Sequence, residues 1–229
     1  YTNRSQLILM SSQEELALGE KSYKESLSEL KVITGTKDAL RVQTIGQKIA
    51  VAANQPNYKW EFNLVEDNQA NAFCLPGGKV VVYTGILKYA KNDDQLATVI
   101  SHEVAHALAR HGAERVTQGM IQQGVGLIGS VAVAATAPQY QNAFNQAYGL
   151  GSNLGVMLPY GRMQESEADE IGIYLMHKAG YNVNEATKFW ENMSEGKSGG
   201  NDFFSTHPSS QNRTKDIQTV INKIGNEAK

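Results

Sequence analysis

Residues 102–106 read His-Glu-Val-Ala-His, two histidines four apart with a glutamate beside the first. The spacing has meaning only on an α-helix, where residues four apart stack on one face. There, two imidazoles can reach one zinc ion, and the adjacent carboxylate can take a proton from water at the metal. The motif therefore demands a rigid helix held inside a folded domain. Asn92 or Asp93 caps the helix that supplies it, which is expected to run to about Arg110.

The chain can build such a domain. Its 229 residues, 41% hydrophobic and 19% charged, have an ordinary globular balance. A net charge of -2 gives no electrostatic case for nucleic acid or an anionic membrane. The single cysteine, Cys74, excludes an intramolecular disulfide. It reads as a small buried residue, with no cationic neighbour to activate its thiol.

Helical spacing and capping signals mark helices over 12–30, 38–53, 113–133, 140–156, 161–179, 183–195 and 209–226. Tyr58 to Leu64 alternates apolar and polar as a strand does. Lys79 to Tyr83 reads as a second strand after the breaker Pro76-Gly77-Gly78. Lys197 to Asp202 reads as a flexible loop. Gly119 to Ala137 carries Gln122 and Gln123 and reads as a helix of a soluble domain, so no transmembrane span is expected. The first residues hold no signal peptide, and an upstream segment removed earlier would offer a route to membrane association. The fold class expected is α+β, mostly helical with a small sheet, in one domain over 1–229 with an N-terminal helical arm at about 1–55.

A hydrolytic zinc site needs three protein ligands and an open position. His111 lies five residues after His106, about 140° round a continuous helix. It is expected to point away from the metal, at a solvated helix end near Gly112. A later helix offers Glu165, with Asp169 one turn on to orient a histidine through its free ring N–H. Glu167 falls about 200° from Glu165 and points elsewhere. The same acidic run also fits a solvated helix start.

Four ordered motifs carry a resemblance. Asn71-Ala72-Phe73-Cys74-Leu75-Pro76-Gly77-Gly78 is similar to an N-A-F-x-x-P-G-G signature. His102 to His106 gives H-E-x-x-H, and Arg162 to Asp169 gives R-x-x-E-x-x-A-D. Thr206-His207-Pro208 with Arg213 matches a late T-H-P and downstream arginine. Together they resemble the zinc peptidase family of the HtpX protease and the type 1 CAAX prenyl protease, over about residues 68–215. The opening Thr2 to Leu7 is similar to soluble members in the bacterial periplasm or cell envelope.

The resemblance implies a gluzincin-type, thermolysin-like domain holding one Zn2+ per chain on His102, His106 and Glu165. Glu103 is then the general base and Asp169 the support of the metal shell. His207 acts as oxyanion donor or as a removable fourth ligand; otherwise it only satisfies a loop before a proline turn. Gly77, Gly78, Lys79, Val80, Val81 and Val82 form a sheet edge that pairs with an extended polypeptide substrate, against the plainer reading of an interior strand. The function expected is cleavage of unfolded polypeptides in envelope quality control. The alternatives are a latent zinc protein acting as a chaperone-like binding module, a zinc hydrolase of non-peptide substrates, or an accidental motif.

Overall fold

The computed structural model describes residues 2–122, 138–148, 159–196 and 203–227. Parts of the readings for 113–133 and 140–156, and the loop 197–202, lie outside these residues. In order, the elements are α1 (Ser12–Glu29), β1 (Val32–Ile33), α2 (Lys37–Ala53), β2 (Glu61–Val65), β3 (Ala72–Leu75), β4 (Lys79–Tyr83) and a 3-10 turn (Thr84–Lys88). Then follow α3 (Asp93–Leu108), α4 (His111–Gln122), α5 (Pro138–Tyr148), α6 (Arg162–Lys178), α7 (Glu185–Glu195), α8 (Phe203–Thr206) and α9 (Arg213–Glu227). The chain is mostly helical, and among the described residues none of its helices is long and apolar enough to cross a membrane.

The sheet order is β1-β2-β4-β3, with β2 and β4 parallel and both outer pairs antiparallel. This corrects the expected edge. β4, holding Lys79, Val80, Val81 and Val82, is paired on both sides, and all four residues are buried. Its unbroken valine run is the signature of a strand covered on both faces, which the interior reading anticipated. Gly77 and Gly78 form the β3–β4 turn with φ of +85° and +86°. That left-handed pair needs glycine, and a Cβ at Gly78 would lie 2.4 Å from the Trp60 ring. The edge strands are β1 and β3, and β3 packs against α3.

Apolar layers cover both sheet faces. Phe62, Leu64, Val80 and Val82 face a core built with α2, α3, α6, α7 and α9. Val65, Leu75 and Val81 face a smaller one with Leu18, Tyr23, Val116, Met120 and Phe144. The first 55 residues contribute to both, through Leu18 of α1 and through Val42, Ile45 and Ile49 of α2.

α3 runs through the larger core, buried from Gln95 to Ala107. Asn92 caps it, its side chain accepting from the Gln95 N–H at 2.9 Å, and Asp93 and Asp94 meet the helix dipole. α6 crosses α3 closely at Gly172, where a Cβ would stand 3.3 Å from the His102 nitrogen. This approach brings Glu165 over the two histidines.

Candidate metal centre

His102, His106, Glu165 and His207 each offer a ligand atom, and these atoms lie within 4.8 Å of one another. Glu165 Oε2 is 3.3 Å from His102 Nε2, Glu165 Oε1 is 3.0 Å from His106 Nε2, and the two Nε2 atoms are 3.1 Å apart. Tetrahedral bonds of roughly 2.0–2.1 Å to zinc would put ligand atoms about 3.3 Å apart. The residues are 3% exposed or less. Both Glu103 oxygens, Glu165 Oε1 and His207 Nε2 are buried without a hydrogen-bond partner. Such orphaned groups are costly unless a cation or substrate meets them. Two imidazoles and a carboxylate suit zinc.

The electrostatics follow from the packing. Burial works to lower the His102 imidazolium, but the Glu165 charge and the Asp169 hydrogen bond outweigh it and raise its pKa to about 9. His106 is held well below the ordinary histidine range by burial, which its contact with Glu165 does not overcome. Burial alone would raise the Glu165 carboxyl; the His102 and His207 charges draw it well below its usual value. Cys74 is buried, and that burial, with Glu103 nearby, pushes its thiol well up.

Asp169 Oδ1 lies 2.9 Å from His102 Nδ1 and accepts from Arg213 Nη2 at 2.7 Å. The Arg213 guanidinium, buried, stacks 3.5 Å over the Trp190 ring. His207 Nε2 is 3.1 Å from Glu103 Oε1, outside hydrogen-bond geometry, and its ring stacks on Phe203 at 4.1 Å. Tyr160, which drew no attention in the sequence, stacks on His106 at 3.7 Å.

His111 departs from expectation. It is fully buried, with Nδ1 2.8 Å from His106 Nδ1 and Nε2 3.0 Å from Glu167 Oε2. An offset of about 140° between His106 and His111 would hold only on one continuous helix. α3 ends at Leu108, Arg110 takes a left-handed φ of +54°, and the chain turns so that His111 opens α4 beside the helix that carries His102 and His106. Glu167 does point away from Glu165, toward that histidine. His177 is exposed.

A pair of helical histidines, a glutamate from a second helix and a free carboxylate between them define the metallopeptidase class of site. Comparison with known proteins carries this further: the Peptidase family M48 profile matches residues 36–221, and the chain belongs to that family. It is 32% identical to the mitochondrial metalloendopeptidase OMA1 of Saccharomyces cerevisiae, over 97% of this chain and 68% of that protein. Identity is 35% to the Schizosaccharomyces pombe protein of the same name, over 95% and 64%. It is 26% to the β-barrel assembly-enhancing protease of Yersinia pestis, over 94% and 45%. The HtpX and CAAX proteases form a related branch of the same family. The chain spans between about a third and two thirds of the length of most of the curated relatives it matches.

Proposed function

We propose that this chain is a zinc-dependent endopeptidase domain that cleaves extended or unfolded polypeptides in protein quality control. The observation that carries this is the convergence of His102, His106 and Glu165 beside an unpartnered Glu103 carboxylate. Those three residues would hold one zinc ion, as the family's use of zinc supports. When bound, zinc supplies Lewis-acid polarisation of the scissile carbonyl and the attacking water. Glu103 takes the proton that water loses and returns it to the leaving amine, so the peptide bond breaks with one water consumed. Asp169 accepts from His102 Nδ1–H, which leaves Nε2 as the ligand atom.

For His207, the hydrogen bonds favour the removable-ligand version. The Thr206 hydroxyl donates to the Phe203 carbonyl at 3.2 Å and accepts from His207 Nδ1 at 2.9 Å. With Nδ1 held there, Nε2 faces the cluster 3.1 Å from Glu103 Oε1, and in the neutral ring it is the nitrogen whose lone pair could reach a metal. Such a ligand would fill the open position and hold the site latent. Burial of the whole cluster supports that latency. It also favours the second reading, a zinc-site protein acting mainly as a binding module. Extended substrate would pair with β3, the edge strand beside α3, rather than with β4.

The proposed setting, the bacterial periplasm or cell envelope, is supported by bacterial relatives named for β-barrel assembly. The mitochondrial relatives favour another compartment. Fractionation of the native host decides between them.

The test pairs metal analysis with degradation of an unfolded polypeptide. Wild type and Glu103→Gln should each carry one zinc. Cleavage should fall by about 10²–10⁴-fold in the variant. Undiminished cleavage by Glu103→Gln would sink the mechanism. Faster cleavage by His207→Ala would support the latent ligand, and slower cleavage the oxyanion donor. Native and unfolded forms of one substrate degraded equally would count against quality control.

A further inference from the structure

We infer that Arg4, acting through Glu167 and His111, is a positioning residue for the metal ligand His106, so that the N-terminal segment is part of the metal centre's support. This rests on the zinc reading above.

His106 Nε2 faces the ligand cluster, which leaves Nδ1 pointing outward to His111 Nδ1 at 2.8 Å. Two imidazole nitrogens at that distance share one proton. With Nε2 committed to a metal, His106 Nδ1 carries the proton and His111 Nδ1 accepts it. His111 then bears its own proton on Nε2 and donates to Glu167 Oε2 at 3.0 Å. Each proton has one consistent place, provided Glu167 stays an acceptor in position.

The N-terminal segment secures that. Arg4 Nε donates to Glu167 Oε2 at 2.5 Å, and the Thr2 hydroxyl donates to the other Glu167 oxygen. The two terminal Arg4 nitrogens grip both oxygens of Glu114 at 2.8 Å. Gln164 also donates to Glu114, at 2.7 Å, so α4 and the start of α6 are joined through this carboxylate. Gln6 donates to the Ala109 carbonyl at 2.7 Å, and the Leu9 N–H donates to Thr117 Oγ1 at 3.0 Å. The segment thus lies along α4, and the planar fork of one arginine spans both carboxylates. Lysine, a point charge, cannot reproduce that grip. Displacing this segment would loosen a metal ligand without touching any ligand directly.

Zinc affinity, measured on the full chain by competition with a chromophoric chelator, and the visible spectrum of the cobalt(II) form test this. His111→Ala should weaken zinc binding by about 10–100-fold, and Arg4→Ala by up to about tenfold, with altered cobalt bands. Arg4→Ala should add nothing in the His111→Ala background, because the relay is already cut. His111→Asn keeps an acceptor for His106 Nδ1–H but not the link to Glu167. It should recover part of the affinity and be indifferent to Arg4→Ala. Gln6→Ala, which removes hydrogen bonds to the Ala109 carbonyl and Glu114 but leaves Arg4, Glu167 and His111 in contact, should lower thermal stability and cost less affinity than Arg4→Ala. If His111→Ala does not fold, Arg4→Ala and His111→Asn carry the test. Unchanged affinity and spectrum in Arg4→Ala, or its full loss repeated without His111, overturns the relay. A wild-type chain that binds no zinc overturns the functional reading instead.

Discussion

The two histidines of one pentapeptide are held in different ways. His102 meets a carboxylate directly: Asp169 at 2.9 Å, itself fixed by Arg213 of α9, whose guanidinium lies on Trp190. His106 meets a neutral ring first; its carboxylate, Glu167, stands one imidazole further out and is fixed by Arg4 near the N-terminus. Burial opposes charge on both rings, yet His102 is raised to about 9 while His106 is driven well down. The contrast has two sources: Glu165 and then Asp169 offset burial at His102, whereas burial prevails at His106, whose outer nitrogen meets only a ring. The two ends of the chain each support one of the two rings.

The sharpest way to break this comparison is to remove one charge from each side. Asp169→Asn should weaken zinc binding by about 10–100-fold. Glu167→Gln should cost less, because an imidazole separates it from the ligand. Equal losses in chelator competition would show that the two supports are equivalent.

Next come the arginines. Arg213→Met leaves the half-buried Asp169 carboxylate with His102 as its one remaining cation, and should cost roughly 3 kcal/mol in urea unfolding of the metal-free protein. Arg4→Met should cost roughly 2 kcal/mol, since Arg4 is 18% exposed. A larger cost at Arg4 would reverse the ranking.

The third contrast is in pH. Burial alone would raise the Glu114 carboxyl, but Arg4 and Gln164 bring it down to about 2 from an ordinary 4.5. A carboxyl depressed on folding stabilises fully above its unfolded pKa, and the contribution is lost as pH falls through the folded value. The stability gap between wild type and Arg4→Met should therefore hold above about pH 5 and close toward pH 2. A gap that persists at pH 2 would mean that Arg4 stabilises by packing rather than charge. The smallest effect belongs to the one histidine outside the site: His177→Ala, at an exposed position, should stay within about 0.5 kcal/mol of wild type.

Sequence alone made α3 and the residues on it legible, because a cap at Asn92, a continuous apolar run and a four-residue histidine spacing are all local signals. Glu165 was legible as one turn from Asp169 on a second helix. The strand Lys79–Tyr83 was found with its bounds, yet its place in the sheet was not, since neighbours on both sides are a matter of nonlocal pairing. β3 went unread because four residues before a Pro-Gly-Gly turn carry too little alternation. His111 was misread for want of one backbone angle at Arg110. Arg4 and Glu167 are 163 positions apart, and no periodicity links them.

The close crossing at Gly172 acts as a gauge. A single hydrogen there lets the helix bearing the glutamate settle against the helix bearing the histidines. A methyl group would meet His102 backbone at 3.3–3.4 Å and force the pair apart by a few tenths of an ångström. That shim would widen the bite between His102 and Glu165. The first change would be in which ion the centre prefers, with small tetrahedral zinc giving ground to larger cations that accept longer bonds.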